Sequence, residues 1–206
     1  ITSFIEKKMN KSMQEIMKKC ETVIIPENGH DEGNIKRVGP IVRQINFSRE
    51  ELRKKFSFDK KTIVISVGGT DAGVFLIEKT LEVIAKIDQD INVVVVSGPS
   101  LSKKFGDSIK NIGFVNNLHE MIFAADVTVS LAGKSTIDEA KAYGTPGIFI
   151  PIKGHFEQEG NAKEEGFVFE DINRLDKLIL EKLEQKRNPL ETRGAITAYN
   201  IIKKLI

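Results

Sequence analysis

The stretch Ser130-Leu-Ala-Gly-Lys-Ser-Thr-Ile-Asp-Glu-Ala-Lys-Ala-Tyr-Gly-Thr-Pro146 decides the fold of this chain. It contains the end of an apolar strand, a glycine turn at Gly133 and a helical segment that ends near Tyr143. A second apolar run, Gly147–Pro151, follows directly. Two apolar runs separated by a helix predict neighbouring parallel strands, because a parallel pair needs a long crossover connection.

The same alternation extends over most of the chain and predicts a doubly wound α/β domain with a parallel sheet. Continuous Val/Ile runs are typical of strands that helices cover on both faces. The apolar runs are Thr62–Val67, Ile91–Ser97, Ile112–Val115, Val127–Ser130, Gly147–Pro151 and Gly166–Phe169. The predicted helices centre on Val74–Ile87, Leu101–Gly106, Leu118–Ala125, Thr136–Tyr143, Glu157–Glu165 and Leu175–Lys186. Ligands of such sheets bind outside the carboxyl ends of the strands, so we expect the functional loops there.

The two ends of the chain differ from this central pattern. Apolar residues recur every three or four positions from Ile1 to Cys20, which predicts an amphipathic helix. Thr22–Pro26 is typical of a short buried strand, and the Gly39-Pro40 break after it predicts a linker. We therefore expect a truncated N-terminal segment (1–43), a central domain (44–188) and a C-terminal helix (189–206) that Pro189 initiates.

Composition excludes several classes of function. The 206 residues include 31 Lys and Arg against 29 Asp and Glu, and no basic stripe indicates a nucleic-acid surface. The single cysteine, Cys20, excludes an internal disulfide framework, and three dispersed histidines give no metal signature. We expect no metal, no cofactor and a cytoplasmic location. Because the chain begins at Ile1 without a signal-peptide pattern, we expect a piece of a longer protein.

The first candidate site is the segment Ser66-Val-Gly-Gly-Thr-Asp-Ala-Gly73, which ends one predicted strand and opens a helix. Gly68 and Gly69 permit a tight turn and the close approach of a ligand, and the N–H groups of a helix N-terminus attract phosphate. Thr70 adds a hydroxyl donor. The alternative is a plain strand-to-helix turn with Thr70 or Asp71 as N-cap. The spacing lacks the third glycine of a dinucleotide fingerprint, which argues against a nicotinamide cofactor.

Gly133 and the helix after it form the second candidate site. Ser135 or Thr136 can cap this helix, and Thr136 and Glu139 share one helical face because they are three residues apart. If this face points into the ligand crevice, Glu139 can accept hydrogen bonds from both hydroxyls of a ribose. The alternative is that Glu139 lies on a solvated helix face, as most helical glutamates do.

Two further loops follow predicted strands. The segment Phe114-Val-Asn-Asn-Leu118 can read a nucleobase edge with its backbone groups, or Asn116 or Asn117 is a helix cap. His155, Gln158 and Asn161 recur at three-residue intervals, so they can gather around phosphate or sugar hydroxyls; the alternative for the histidine is a solvated loop. The chain lacks the Gly-x-Ser-x-Gly and P-loop motifs, so we expect no catalytic nucleophile in it.

Taken together, these residues resemble the C-terminal, donor-binding half of GT-B glycosyltransferases, in particular the group with the UDP-N-acetylglucosamine transferase of lipid II synthesis. The resemblance extends from about Asn34 to Phe169. It rests on the ordered motifs Gly39-Pro40, Gly68-Gly69-Thr70, Phe114-Val115-Asn116, Gly133 with Thr136 and Glu139, Gly144-x-Pro146, Pro151 and His155-x-x-Gln158-x-x-Asn161-Ala162. It implies a Rossmann-like parallel sheet, preceded by a short helix–strand remnant and followed by a helix that returns toward an N-terminal domain.

The resemblance also implies roles in binding a UDP-sugar, with a UDP-N-acetylhexosamine expected. Glu139 holds the ribose diol, Val115 presents backbone atoms to uracil, and Thr70 with Thr136 contacts the diphosphate. Glu157 and Gln158 lie near the donor sugar, where relatives often carry two glutamines. The implied UDP-sugar-binding residues are Gly68, Gly69, Thr70, Val115, Gly133, Ser135, Thr136, Glu139, His155, Glu157, Gln158 and Asn161.

A complete member of the resembling group has an N-terminal domain that binds the acceptor and carries the catalytic base, and this chain is too short to hold it. The resemblance therefore implies a metal-independent, inverting transferase whose catalytic residues lie in that domain or in a partner chain. It also implies a lipid-linked acceptor, and contact with the inner face of the membrane through the missing half. The alternatives are a UDP-sugar hydrolase of similar architecture and the donor-binding subunit of a two-chain transferase.

Overall fold

The computed structural model describes residues 11–68, 71–98, 105–106 and 109–205. The chain divides into two compact units. The central unit is Gln44–Leu190, and the terminal unit combines Ile1–Arg43 with Glu191–Ile206. The predicted ligand-binding residues all belong to the central unit.

Strands and helices alternate through the described residues. In chain order the strands are β1 (Val23–Ile25), β2 (Ile35–Arg37), β3 (Lys61–Ser66), β4 (Ile91–Val96), β5 (Lys110–Ile112), β6 (Val127–Leu131) and β7 (Gly147–Ile150). The helices are α1 (Lys11–Lys19), α2 (Arg49–Phe56), α3 (Val74–Ile84), α4 (Leu118–Ala124), α5 (Lys134–Tyr143), α6 (Phe156–Glu164), α7 (Leu175–Glu184) and α8 (Gly194–Ile202). Short 3₁₀ segments cover Asp71–Gly73 and Phe169–Arg174.

A parallel sheet in the order β5-β4-β3-β6-β7 forms the middle of the central unit. β3 lies at its centre, where Lys61 is opposite Ile91 of β4 and Ile63 is opposite Val127 of β6. The strand order therefore reverses between β3 and β6, which makes this boundary the switch point of a doubly wound sheet. The predicted α/β fold is confirmed.

Buried side chains of β3 alternate between two apolar clusters. Ile63, Ile65 and Val67 join a cluster that contains residues of α3, α5 and α7. Val64 joins a second cluster, with residues of α2 and α4. Successive strand residues point to opposite faces of a sheet, so each face has its own helical cover. Cover on both faces explains why the strands are continuous Val/Ile runs.

A cluster of arginines around Asp126 joins elements at the amino edge of the sheet. The Asp126 carboxylate accepts hydrogen bonds from Arg49 at 2.7 Å, from Arg53 at 2.9 Å and from the Thr62 N–H at 2.8 Å. The Arg187 guanidinium donates to carbonyl groups at the end of α4, over 2.8 and 2.9 Å. This cluster fixes the starts of β3 and β6, at the edge opposite the predicted ligand loops.

The terminal unit has its own local order. β1 and β2 pair in parallel, with Val23 opposite Ile35. The side-chain amide of Asn34 donates to the carbonyl groups of Met17 and Cys20, both at 2.7 Å, and so closes the end of α1. Among the described residues, none of the helices combines the length and the apolar character that crossing a bilayer requires.

Several strand and helix predictions for the central unit need correction. Gly166–Phe169 is not a strand: Gly166 has φ +81°, and Phe167 is buried as part of a loop. β5 begins two residues earlier and ends three residues earlier than the predicted Ile112–Val115. The sequence analysis did not predict α2. Most of the predicted helix Leu101–Gly106 lies outside the described residues, and its last two residues are not helical.

The chain ends also differ in part from the predictions. The C-terminal helix begins at Gly194, not at Pro189. Gly194 lies against the chain, since a Cβ there would be 2.2 Å from the Pro40 carbonyl oxygen. The predicted buried strand Thr22–Pro26 exists as β1, but its residues are half-buried. The predicted N-terminal helix is helical over Lys11–Lys19, and its first ten residues lie outside the described ones.

Candidate functional site

The loops after the parallel strands meet at the carboxyl edge of the sheet, and two of them flank the switch point. Gly68 follows β3 and has φ +79°, a left-handed conformation that favours glycine. Gly133 follows β6. Gly69 and Thr70, the rest of the first predicted motif, lie outside the described residues.

Gly73, at the end of the first motif, has a packing role. A Cβ on this residue would lie 2.3 Å from the Val67 Cβ and 3.0 Å from the Val67 carbonyl oxygen. The start of α3 therefore sits directly on the end of β3, and only glycine fits between them. The glycines of this motif therefore serve different purposes, and packing between α3 and β3 is enough to explain Gly73.

Gly133 is different, since the fold does not require a glycine there. Its φ of −78° suits any residue, and a Cβ would meet no atom within 4 Å. α5 begins at Lys134, and its N-cap residue Gly133 has no side chain that could satisfy the first N–H groups of the helix. An uncapped helix N-terminus next to a residue without a side chain is suited to an anion that approaches closely.

Neither Ser135 nor Thr136 caps α5 as the sequence analysis proposed. Both lie inside the helix, because the N-cap position is Gly133. Both residues lie in the first turn of the helix, where Ser135 is exposed and Thr136 is half-buried. A ligand role for these hydroxyls stays a prediction.

Glu139 is buried, with 5% of its surface exposed. The alternative of a solvated helix face for this residue is therefore wrong. Glu139 follows Thr136 by three residues and lies on the same face of α5. A buried carboxylate one turn from an open helix N-terminus can accept hydrogen bonds from a ligand whose anionic group occupies that N-terminus.

α5 carries a second buried carboxylate, that of Asp138. Asp138 forms an ion pair with Lys134, one turn earlier on the same helix. Burial raises the pKa of the Asp138 carboxyl, and the Lys134 ammonium offsets part of this rise. The lysine after Gly133 is therefore engaged within its own helix.

His155 and Gln158 organise the N-terminus of α6, after β7. The Gln158 N–H donates to Nδ1 of His155 at 3.4 Å, so the histidine is the N-cap of the helix. The Ile152 N–H donates to Oε1 of Gln158 at 3.0 Å. Because the acceptor atoms face the backbone, the imidazole Nε2 and the Gln158 amide nitrogen are left to donate to a ligand. Glu157, between them, is half-buried in the first turn.

Asn161, the third residue of the predicted His/Gln/Asn set, is buried in the molecule. It is 4% exposed, and its Nδ2 donates to the Ala132 carbonyl oxygen at 3.0 Å. Spacing alone could not reveal this contact, since its partners are 29 residues apart. Direct contact between Asn161 and a ligand stays a prediction.

The loop after β5 exposes a large aromatic side chain. Phe114 is 65% exposed, and the adjacent Val115 is half-buried. Asn117 occupies the N-cap position of α4, but its side chain does not cap; its amide donates to Glu120 at 3.1 Å. An exposed ring beside open backbone groups can stack on a planar ligand. The sequence analysis quoted Phe114 but gave this ring no role.

Residues 62–198 match the glycosyltransferase family 28 C-terminal domain. This span contains each predicted site residue. An uncharacterized glycosyltransferase of Methanosarcina acetivorans is 30% identical over 184 residues, which cover 79% of this chain and 47% of that protein.

A second relative carries a more specific name. The UDP-N-acetylglucosamine--N-acetylmuramyl-(pentapeptide) pyrophosphoryl-undecaprenol N-acetylglucosamine transferase of Thermosipho melanesiensis is 30% identical over 167 residues. The match covers 75% of this chain and 49% of that protein. The chain spans about half the length of these two relatives.

Solved structures of glycosyltransferases have the same fold. The spinosyn forosaminyltransferase SpnP matches with a TM-score of 0.57 and 13% identity, over 90% of this chain and 55% of that one. The glycotransferase of kitacinnamycin matches with a TM-score of 0.53 and 18% identity, over 85% and 50%. At such identities the likeness concerns the fold alone, and it confirms the predicted Rossmann-like architecture of the GT-B type.

Proposed function

The chain belongs to the glycosyltransferase family 28 C-terminal domain family, and we propose on this premise that it is the donor-binding part of a nucleotide-sugar-dependent glycosyltransferase. The proposed donor is a UDP-N-acetylhexosamine. The Thermosipho melanesiensis relative, named for UDP-N-acetylglucosamine, supports this choice of nucleotide and sugar.

One observation carries the proposal: a buried glutamate stands one turn from an open helix N-terminus at the switch point. In the proposed complex the diphosphate approaches Gly133 and the first N–H groups of α5. The Glu139 carboxylate, 5% exposed, then accepts hydrogen bonds from both ribose hydroxyls. Along α5, the proposed phosphate subsite comes first and the proposed acceptor of the ribose hydroxyls follows. In a nucleoside diphosphate the phosphates and the ribose are likewise adjacent.

The two neighbouring loops supply the proposed contacts to the ends of the donor. Uracil stacks on the exposed ring of Phe114 and pairs with backbone groups of Val115. The sugar lies at the start of α6, where Gln158 and His155 donate and Glu157 accepts hydrogen bonds. Gly68, which follows β3, lies at the same edge of the sheet, and Gly69 and Thr70 remain proposed contacts to the diphosphate on the basis of the sequence motif.

The proposed chemistry is inverting transfer of the sugar to an acceptor hydroxyl. A base outside this chain takes the proton of the acceptor, and the bond between the sugar and the diphosphate breaks. The chain contributes by stabilising the departing UDP with the helix N-terminus and its hydroxyl groups, without a metal ion. We therefore expect the chain alone to bind UDP and to transfer little or no sugar.

We extend the proposal to a lipid-linked acceptor. The Thermosipho melanesiensis relative is named for a pyrophosphoryl-undecaprenol acceptor. In the proposed arrangement this acceptor binds to the remainder of the full-length protein, or to a partner chain, at the inner face of the membrane.

Calorimetric titration with UDP, CDP, GDP and ADP tests the proposed function. We expect UDP to bind at least about tenfold more tightly than the other three, because base recognition leaves mismatched polar groups unpaired. UDP-N-acetylglucosamine, as a second titrant, tests the choice of sugar. Equal binding of all four nucleotides, or binding of none, contradicts the proposal.

A further inference from the structure

Asn161, on the second turn of α6, holds the turn between β6 and α5 from the inside of the molecule. Its Nδ2 donates to the Ala132 carbonyl oxygen at 3.0 Å, and its side chain is buried. This carbonyl and the Gly133 N–H belong to the same peptide group. The Gly133 N–H donates to the Leu131 carbonyl oxygen at 2.7 Å. Both polar atoms of the peptide group are therefore fixed, which prevents it from rotating.

The same turn is also tied to the neighbouring strand. The Ala132 N–H donates to the Ile150 carbonyl oxygen of β7 at 3.2 Å. Gly133 has wide conformational freedom, so the direction in which α5 starts depends on the residues that hold the preceding peptide group. Of these holding contacts among the described residues, the one from Asn161 is made by a side chain, and so it can be removed by substitution.

We infer that Asn161 is a positioning residue for the diphosphate subsite: its amide aims the free N–H groups of α5 at the phosphates, without touching the nucleotide. This inference rests on the proposed function and replaces the expectation that Asn161 contacts the donor directly. A helix N-terminus favours an anion only where its N–H groups point at it, so a small rotation of the turn weakens phosphate binding.

The position of Asn161 also couples the two subsites. It lies one turn after Gln158 on the same face of α6, whose first turn is the proposed sugar subsite. Near the end of α5, Lys141 forms an ion pair with Glu165, directly after α6, at 2.6 Å. The two contacts hold the second half of α6 against the turn before α5 and against the last turn of α5.

The variants Asn161→Asp and Asn161→Leu test the inference. Each removes the amide donor, and Asn161→Asp does so at nearly constant volume. Thr145→Val is the matched control, because Thr145 is equally buried at 4% and its hydroxyl donates to the Ile122 carbonyl oxygen at 2.9 Å, at the amino edge of the sheet. We measure the affinities of all four proteins for UDP and for uridine.

We expect both Asn161 variants to bind UDP about tenfold or more weakly while their affinity for uridine changes by less than about twofold. The Thr145→Val variant loses stability but keeps both affinities. A purely structural role for Asn161 weakens UDP and uridine alike, and this result overturns the inference. Unchanged UDP affinity of Asn161→Asp also overturns it.

Hydrogen exchange separates failure of the inference from failure of the proposed function. If the parent chain binds no UDP, the proposed function fails. The role of Asn161 is then decided by the hydrogen-exchange rates of the amides in the first turn of α5, measured in the free proteins. Faster exchange there in Asn161→Asp, but not in Thr145→Val, supports the positioning role. Equal rates in the two variants overturn it.

Discussion

At the scale of single residues, the proposed nucleotide site depends on Gly133 and Glu139, which lie near the switch point. Gly133 has ordinary backbone angles and open space where a Cβ would be. Glu139 places a carboxylate among buried residues of α5. A buried carboxylate on the helix that follows this glycine can accept hydrogen bonds from the ribose of a bound nucleotide.

Substitution of Gly133 by alanine separates folding from binding. We expect Gly133→Ala to change the free energy of unfolding by no more than about 1 kcal/mol, because φ −78° is favourable for alanine and the methyl group meets no atom. UDP affinity falls about tenfold or more, since the methyl group occupies the path of the diphosphate. Urea unfolding and calorimetric titration measure the two quantities.

Gly144→Ala is the matched control for this prediction. Gly144 ends α5 with φ +69°, and a Cβ there would lie 2.4 Å from the Pro189 nitrogen. This variant loses stability and keeps the UDP affinity of its folded fraction. Unchanged UDP affinity in Gly133→Ala would show that no ligand group comes close to this glycine.

At the scale of elements, the two edges of the sheet have different tasks. The carboxyl edge presents helix starts with open N–H groups, whereas the amino edge is closed by the arginine cluster around Asp126. Burial alone would raise the pKa of Asp126. The Thr62 N–H and the guanidinium groups of Arg53 and Arg49 outweigh this effect and lower the pKa below its ordinary value.

The lowered pKa of Asp126 predicts a pH dependence of stability. Because the folded-state pKa lies below the unfolded value of about 3.9, the contribution of Asp126 is complete above that value and is lost as the pH falls through the folded-state pKa. We expect Asp126→Asn to destabilise the protein at pH 7 by about 2 kcal/mol, since it leaves the half-buried guanidinium groups of Arg49 and Arg53 without their carboxylate. Urea unfolding between about pH 2 and 7 measures both effects.

We expect the unfolding free energies of the parent and of Asp126→Asn to converge at acidic pH. The difference in unfolding free energy between the parent and Asp126→Asn should shrink as the pH falls below about 4. Asp90→Asn is the control, because this exposed carboxylate pairs with Lys60 at the surface and should contribute less than about 1 kcal/mol. A difference that stays constant with pH contradicts the assignment.

At the scale of the whole molecule, the sequence pattern predicted the sheet better than the polar elements around it. β3, β4, β6 and β7 are continuous apolar runs, and they were predicted because burial on both faces leaves that signature. α2 was missed, since it buries only Leu52 and Phe56. Its capping box, with Ser48 as N-cap and Glu51 three residues later, is a readable signal for its start.

Apolar residues that lie outside strands caused the wrong strand predictions at Gly166–Phe169 and at the end of β5. Phe167 packs edge-on against Phe149 at 6.0 Å, so its loop has the composition of a strand without pairing. Phe114 extended the predicted β5, but its ring is exposed. The described residues of the predicted motifs lie in loops and helix starts at the carboxyl edge, as expected. The contact of Asn161 with Ala132 could not be predicted, because it depends on how two distant loops meet.

A double-mutant cycle measures whether Glu139 binds the ribose of UDP, as proposed. We would measure the affinities of the parent chain and of Glu139→Gln for UDP and for 2′-deoxy-UDP. Asp171→Asn is the matched control, because Asp171 is similarly buried, at 6%, and accepts hydrogen bonds from its own loop.

The account predicts that Glu139→Gln and loss of the 2′-hydroxyl each weaken binding, and that the combined loss is smaller than their sum. The difference should be about 1–3 kcal/mol, because both changes remove the same charge-assisted hydrogen bonds. Asp171→Asn should bind both ligands like the parent. Strictly additive losses, or UDP affinity that Glu139→Gln leaves unchanged, would contradict the account.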